Sequence, residues 1–474
     1  MTRRTKIVAT LGPATDNLRV LKKMLAAGVD VVRLNYSHGT AEDQARRAEQ
    51  VRKVAAELGR DIGILADLQG PKIRIESFKN GPVELQEGQR FALDTAWPKA
   101  EGNAEVVGCA YTDLPRDIAP GDTLLLNDGA ISMIVDKVEG TRINGTVRVG
   151  GVLSNRKGIN RLGGGLSATA LSFKDRIDIR EAVALDVDFI AVSFPRSAAD
   201  MLEARSLVKE AGGTAALVAK IERAEALTEL NEIIGASDAV MVARGDLGVE
   251  IGDAELPGWQ KKIISQSREQ NRMVITATQM MESMITSPIP TRAEVLDVAN
   301  AVMDGTDAVM LSAETAAGRH PDKVVEAMAR VCDGAERGEP PPERSRQRFE
   351  AHFKRTDEAI AMAAAWTAQN MRAEAIIALT ESGSTALLMS RTDTRMPIYA
   401  MTRHEHTRRR MALCRGVYPV DFEPSQLETL LPTREAVESL VKRKLLKAGD
   451  RVLITKGDFS SPGGTNTMKI VKVE

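Results

Sequence analysis

Glu222, in AKIERAE, and Asp246, in VMVARGDLG, are acidic residues closing two successive apolar runs. Two carboxylates that converge without His or Cys suit a hard divalent cation such as Mg2+ or Mn2+, which keeps some waters and takes further oxygens from a substrate. A salt bridge with Lys220 or Arg244 explains the same pair about as well. Gly245 favours the cation, because a residue without a side chain lets a ligand approach the backbone. Lys220 stands two positions before Glu222, so on a strand both point to the same side. Its ammonium would neutralise charge on a transferring phosphoryl group or an enolate, or form a structural ion pair. The planar fork of Arg33 fits phosphate or carboxylate. Thr278 offers a hydroxyl, and the methionines that follow it read as core.

These residues share a position. Eight short apolar runs, KIVATLG, VVRLNYSHG, IGILADLQG, FIAVSFP, ALVAKIE, AVMVARGDLG, MVITATQMM and AVMLSAET, read as strands buried on both faces. Near their ends stand Thr10, then Arg33 with Asn35 and Ser37, Asp67, Ser193, Lys220 with Glu222, Arg244 with Asp246, Thr278, and Ser312 with Glu314. In a (β/α)8 barrel the catalytic groups collect at the C-terminal ends of the strands. The pattern therefore predicts an α/β protein built on a TIM barrel.

The chain has 474 residues, 43% hydrophobic and 27% charged, with a formal net charge of −1, so nothing suggests a nucleic-acid or membrane partner. The run Arg408, Arg409, Arg410 reads as a solvated helix face or a local anion site. Cys109, Cys332 and Cys414 form no CxxC pair, which fits a reducing, cytoplasmic setting. The basic N-terminus runs straight into a strand without a signal-peptide core, and no apolar stretch approaches the ~18 residues that span a bilayer.

The length implies more than one domain. Strand candidates recur at the spacing of a βα unit, with helical patterns such as Leu18–Ala27, Ala41–Leu58, Lys174–Leu185, Ala199–Glu210 and Leu256–Gln270 between them. The stretch from Gly70 to Asp188 is far longer than one helix needs, and its alternating runs KIRIESF, VELQEGQRFAL, DTLLLNDG, ISMIVDKVEG and TRINGTVRVGG predict an inserted all-β lid. Helix Pro321–Cys332 leads into a linker in GAERGEPPPERSRQRFE, after which helices and strands alternate as a C-terminal α/β domain. The expected division is 1–70 with 169–340 for the barrel, 71–168 for a β-barrel-like lid, and 341–474 for the last domain.

TLGPAT is a tight turn able to touch a nucleotide, although it lacks a P-loop lysine. TESGST, between a strand and a helix, offers N–H groups and the Thr380, Ser382, Ser384 and Thr385 hydroxyls around Gly383, as a phosphate cradle or a plain helix cap. A second Gly/Ser loop, KGDFSSPGGTNT, adds to the case for a phosphorylated ligand.

Taken in order, ATLGPAT, VVRLNYSHGT, ADLQGPKIR, GGGLSATALSFKD, AKIERAEAL, VMVARGDLGVEI, ITATQMMESMI and PIPTRAEVLDVANAVMDGTDAVMLSAETAAGRHP closely resemble the pyruvate kinases over the whole chain. The resemblance implies transfer of the phosphoryl group of phosphoenolpyruvate to ADP, usually in a homotetramer regulated by a phosphorylated effector. It assigns Glu222 and Asp246 to the divalent metal, and Arg33, Lys220, Gly245, Asp246 and Thr278 to phosphoenolpyruvate. Lys220, Arg33 and Thr278 are its catalytic group. Thr10, Pro13, Asn35, His38, Arg74 and Lys174 fall on the nucleotide side, and Thr380, Ser382, Gly383, Ser384 and Thr385 on the effector.

Many members of that family carry an acidic residue at the position of Lys72 and need K+ near the groups matching Asn35, Ser37 and Asp67. Here Lys72, with Leu68, Gln69 and Ile75, resembles the K+-independent branch. An ammonium can supply the charge that K+ would bring, worth about 4 kcal/mol at ~4 Å and an effective dielectric near 20, before desolvation. The expectation is that Lys72 fills a pocket formed by Asn35, Ser37, Asp67 and Leu68, and that K+ is not required. Phe173 stands where a Glu is common. A barrel aldolase or lyase acting on pyruvate enolate has no use for the nucleotide-side residues, and a non-catalytic sensor has none for Lys220, Glu222 and Asp246.

Overall fold

A computed structural model describes residues 3–338, 353, 355–392, 394–425, 431–457 and 464–474. Strands Lys6–Thr10, Val31–Asn35, Gly63–Asp67, Phe189–Val192, Ala216–Ile221, Ala239–Ala243, Met273–Ala277 and Ala308–Leu311 close into a parallel barrel, Lys6 meeting Ala308 where the first strand joins the last. The two-residue period of a strand divides the apolar side chains into two sets. Ile7, Val32, Ile64, Ile190, Leu217 and Val240 belong to the outer cluster, under the helices. Val8, Val31, Leu65, Ala191, Val218 and Ile275 fill the interior. Thr10, Arg33, Asp67, Ser193 and Lys220 continue that inner phase, each two residues further on, so the polar groups gather over the packed interior at one end.

Between the third and fourth barrel strands lies a six-stranded sheet in the order Ile159–Arg161, Thr123–Leu126, Ile131–Glu139, Arg142–Val149, Arg90–Asp94, Val106–Gly108, beside the pair Gly151–Leu153 and Val83–Leu85. It has its own core around Ile75, Phe91, Leu124 and Met133. KIRIESF, expected to be a strand, forms only isolated bridges, Arg74 with Gly158, Ile75 with Cys109 and Phe78 with Gly102. The roots of the insertion are tied together. Gly70 has φ +65°, a Cβ there would lie 2.7 Å from that of Ser193, and its N–H donates to Asp175 Oδ1 at 3.0 Å. The other Asp175 oxygen accepts from the Ser172 N–H at 2.8 Å, which closes a capping box on the helix Phe173–Ala184.

The C-terminal part is a five-stranded sheet in the order Val417–Asp421, Ile398–Thr402, Ala375–Leu379, Arg451–Gly457, Thr465–Lys472, the last strand antiparallel. Its apolar residues Ile376, Ala378 and Leu388 share one cluster with the barrel interior. The domain docks under the barrel, where the strands begin. Arg391 and Asp307 form a fully buried ion pair, and Asp307 Oδ1 also accepts from the Arg415 N–H at 2.9 Å. Arg408 pairs with Asp61 at 3.1 Å, Arg409 with Asp188 at 2.7 Å, and the Arg410 guanidinium donates to the Thr214 carbonyl. The arginine run is thus a domain clamp. The helix after the eighth strand runs Pro321–Gly338, longer than expected, because Glu336 accepts from the N–H groups of Arg4 and Thr5 and so joins the barrel floor. Residues 339–350 of the expected linker, and 458–463 of the Gly/Ser loop, lie outside the described residues.

Candidate active site

At the mouth, Lys220 is the hub. Its Nζ lies 2.9 Å from Glu222 Oε1 and 3.1 Å from Asp67 Oδ1, and donates to Ser193 Oγ at 2.7 Å. Arg33 Nε donates to the other Asp67 oxygen at 2.6 Å, and its Nη1 to Thr10 Oγ1 at 3.1 Å. Burial alone would lower the Lys220 ammonium, but Asp67 and Glu222 overcome it and hold it at about 12. Burial raises Asp67, and Lys220 with Arg33 reverse that, keeping it below the usual range. Glu222 behaves differently. Burial drives it up to about 7, Lys220 opposes, and the charges of Asp246 and Asp67 add to the rise. A carboxylate crowded by two others is a place where a further cation is stabilised.

Glu222 Oε2 accepts from the Phe194 N–H at 2.9 Å, which fixes its orientation. Among the described residues no three His, Cys, Asp or Glu side chains assemble a complete metal cage. A two-carboxylate, all-oxygen donor set fits a hard cation completed by waters and substrate. Gly245 and Asp246 occupy the first turn of the helix Arg244–Ile251. A Cβ at Gly245 would meet nothing closer than Thr278 Oγ1, at 3.6 Å, so protein packing does not require glycine there.

Thr278 follows its strand with φ +69° and Gln279 continues at +53°. Left-handed backbone at a β-branched residue stores strain of order 1–3 kcal/mol, and such strain concentrates at functional sites. The Thr278 hydroxyl accepts from the Gly245 N–H at 2.8 Å and donates to the Ala277 carbonyl at 2.6 Å. Arg244 does not pair with Asp246. It donates to the carbonyls of Thr278 and Ala277 and to Asp297. Glu314 accepts from the N–H groups of Ser312 and Met281, so it braces the same loop.

Lys72 lies elsewhere than expected. Its Nζ reaches Asp246 Oδ1 at 3.1 Å and Asp128 Oδ1, on the inserted sheet, at 3.4 Å. Among the described residues no hydrogen bond or ion pair joins it to Asn35, Ser37, Asp67 or Leu68. The reason is local, since both Asp67 oxygens already face Arg33 and Lys220, while Asn35 Oδ1 accepts from the Ser37 N–H and the Leu68 carbonyl from Ser193 Oγ. Asp128 carried no sequence argument beyond its NDG turn, in which Asn127 and Asp128 both take positive φ.

On the other flank, Lys174 Nζ donates to the Tyr36 carbonyl at 3.1 Å and to Asp178 Oδ2 at 2.6 Å, which sets it against the loop of Asn35 and His38. Pro13 opens the 3-10 turn Pro13–Thr15 after Gly12, where a Cβ would lie 2.5 Å from the Ala316 carbonyl oxygen. Arg74, in the first stretch of the insertion, donates to the Arg156 carbonyl at 3.0 Å. In the last domain, Thr380 Oγ1 accepts from the N–H of Gly383, which has φ +82°, and Ser382 Oγ from that of Ser384 at 3.4 Å. Thr385 is buried, its hydroxyl 2.5 Å from that of Thr465.

The chain matches two family models, pyruvate kinase, barrel domain, over residues 2–325 and pyruvate kinase, alpha/beta domain, over residues 358–471. It is 55% identical to pyruvate kinase II of Salmonella typhimurium over 100% of this chain and 99% of that protein. It is 53% identical to a pyruvate kinase of Haemophilus influenzae over 98% and 97%, and 39% identical to one of Thermotoga maritima over the full length of both. The chain therefore belongs to the pyruvate kinase family, the phosphotransferases that pass the phosphoryl group of phosphoenolpyruvate to ADP and leave pyruvate and ATP.

Proposed function

We propose that this phosphoryl transfer runs at the barrel mouth with the following division of labour. Arg33 and Lys220 bind the phosphoryl group, and Lys220 offsets the charge that spreads over its oxygens and over the enolate. The backbone at Gly245 and Asp246, with the Thr278 hydroxyl, receives the rest of phosphoenolpyruvate. Glu222 and Asp246 would hold the divalent ion that pyruvate kinases generally use, Mg2+ or Mn2+, which when bound polarises the phosphoryl oxygens. Thr10, Pro13, Asn35, His38, Arg74 and Lys174 form the nucleotide side.

The observation that carries this reading is the convergence of Asp67, Glu222 and Ser193 on one buried ammonium. The test is Lys220→Met, which keeps the stem and removes the charge. Turnover should fall at least about 10³-fold, on the scale of cationic groups that stabilise phosphoryl transfer, with phosphoenolpyruvate still binding. Substantial residual turnover would overturn the assignment.

The finer points belong to the same proposal. The domains divide as 1–70 with 169–340, 71–168 and 341–474. Lys72, placed beside Asp246, provides the charge that K+ supplies elsewhere in the family, so the protein belongs to the K+-independent branch. The loop from Thr380 to Thr385 takes a phosphorylated effector in a cytoplasmic homotetramer. The exposed Ser382 and half-buried Thr380 and Ser384 hydroxyls support that reading, and three buried free cysteines fit the reducing compartment. Among the described residues no helix is long and apolar enough to cross a membrane.

A further inference from the structure

Arg244 follows the strand Ala239–Ala243 and opens the helix Arg244–Ile251, close to the reacting groups, yet its guanidinium serves a neighbouring loop. Nε donates to the Ala277 carbonyl at 3.2 Å and Nη2 to the Thr278 carbonyl at 2.7 Å, while Nη1 donates to Asp297 Oδ1 at 2.7 Å. The side chain is buried. Those two carbonyls flank the point where the chain leaves its strand and turns left-handed at Thr278, a conformation in which a β-branched side chain crowds its own backbone. Arg244 holds the turn by its carbonyls, and the next residue, Gly245, holds it by the Thr278 hydroxyl. The residue after that is Asp246. One turn of helix thus sets Thr278 and Asp246 in register with each other.

We propose that Arg244, anchored by Asp297, is a positioning residue for phosphoryl transfer: it locks Thr278 in its left-handed conformation, so that before substrate arrives the hydroxyl is held on the Gly245 N–H, one residue ahead of Asp246. This rests on the reading of Thr278 as a substrate-contacting group. Only a planar fork can donate to two successive carbonyls and to a carboxylate at once, so lysine is a poor substitute despite equal charge.

The test is a double-mutant cycle between Arg244→Met, which keeps the side-chain volume, and Thr278→Val, which keeps the branch and removes the hydroxyl. Arg244→Met should lower kcat and kcat/KM together by about 100-fold, the scale of a misplaced catalytic group. Mn2+ affinity, measured by equilibrium titration of the free protein, should be unchanged. The double variant should be no worse than the poorer single one, and Arg244→Lys should restore little. If Arg244→Met does not fold, as judged by circular dichroism, Asp297→Asn replaces it in the cycle. Losses that multiply in the double variant, normal turnover in Arg244→Met, or a loss carried by weaker Mn2+ binding would each overturn the positioning role while leaving Thr278 in place. Full activity in Thr278→Val would instead remove the reading of Thr278, and this inference with it.

Discussion

The Lys72 ammonium lies 3.1 Å from Asp246, on the carboxylate assigned to the divalent metal, and 3.4 Å from Asp128 on the inserted sheet. Burial alone would lower Lys72, but Asp246 and then Asp128 overcome it, so the ammonium stays charged. A fixed positive charge therefore stands at the junction of barrel and lid, without any need for it to enter the group around Asp67.

That placement has a consequence for monovalent cations. The protein should make pyruvate from phosphoenolpyruvate and ADP with Mg2+ at the same rate in K+-free buffer and with K+ added. Lys72→Glu removes the charge and adds an acidic group next to Asp246, so its activity should become dependent on K+. Rates for that variant that do not respond to K+ would reject the substitution of ammonium for ion.

Much of the site was legible because it obeys a strand period. Thr10, Arg33, Asp67, Ser193 and Lys220 each follow an inward apolar residue by two positions, and the runs that carry them are apolar on both faces. What was not legible depends on partners far away in sequence. KIRIESF alternates like a strand but bridges only single residues of the insertion. The strand Val417–Asp421 contains Pro419, which cannot donate to a ladder, and it lies at a sheet edge where that is tolerated. The run Arg408 to Arg410 carries charge without revealing that Asp61 and Asp188 await it under the barrel.

The loop proposed for the effector divides into a buried hydroxyl, that of Thr385, and more accessible ones, those of Ser382 and Ser384. The Thr385 hydroxyl is tied to that of Thr465, whereas among the described residues the Ser384 hydroxyl has no side-chain partner. Ser384→Ala should therefore abolish activation by phosphorylated metabolites, and Thr385→Ala should do so too by loosening the helix start. The check is the ratio of rates with and without sugar bisphosphate, sugar monophosphate and AMP. An unchanged ratio with every activator would reject the loop as the effector site.

Arg391 and Asp307 lie between the last domain and the barrel floor with no exposed side-chain surface. Removing Arg391 takes from the buried Asp307 its main ionic partner, at a cost of up to about 3–5 kcal/mol. Arg391→Met should lower the midpoint of urea unfolding accordingly. Arg391→Met combined with Asp307→Leu should recover part of the loss, because an apolar pair of similar volume carries no desolvation penalty. A double variant less stable than the single one would show that hydrogen bonds from Asp307 to the N–H groups of Val274 and Arg415 outweigh the charge.

Glu250 should make the contact of barrel and lid pH-dependent. It is buried, accepts from the Ala224 N–H at 2.9 Å and from Asn160 Nδ2 of the inserted sheet at 3.4 Å, and its carbonyl accepts from the Gly163 N–H at 2.9 Å. Burial pushes its carboxyl from 4.5 to about 7, with Glu225 adding to the rise and the Ala224 N–H, Arg223 and Asn160 opposing it. Between these values the folded protein holds a proton that the unfolded chain has lost, so stability falls as pH rises. The stabilisation is complete below pH 4.5 and gone above about 7, and the rise in pKa corresponds to roughly 3 kcal/mol at most. Glu250→Gln keeps the shape and an acceptor but cannot ionise, so its advantage in melting temperature over the parent should be small at pH 5 and grow to a plateau by pH 8. A constant difference across that range would mean that Glu250 stays charged in the fold and that the lid contact does not sense protons.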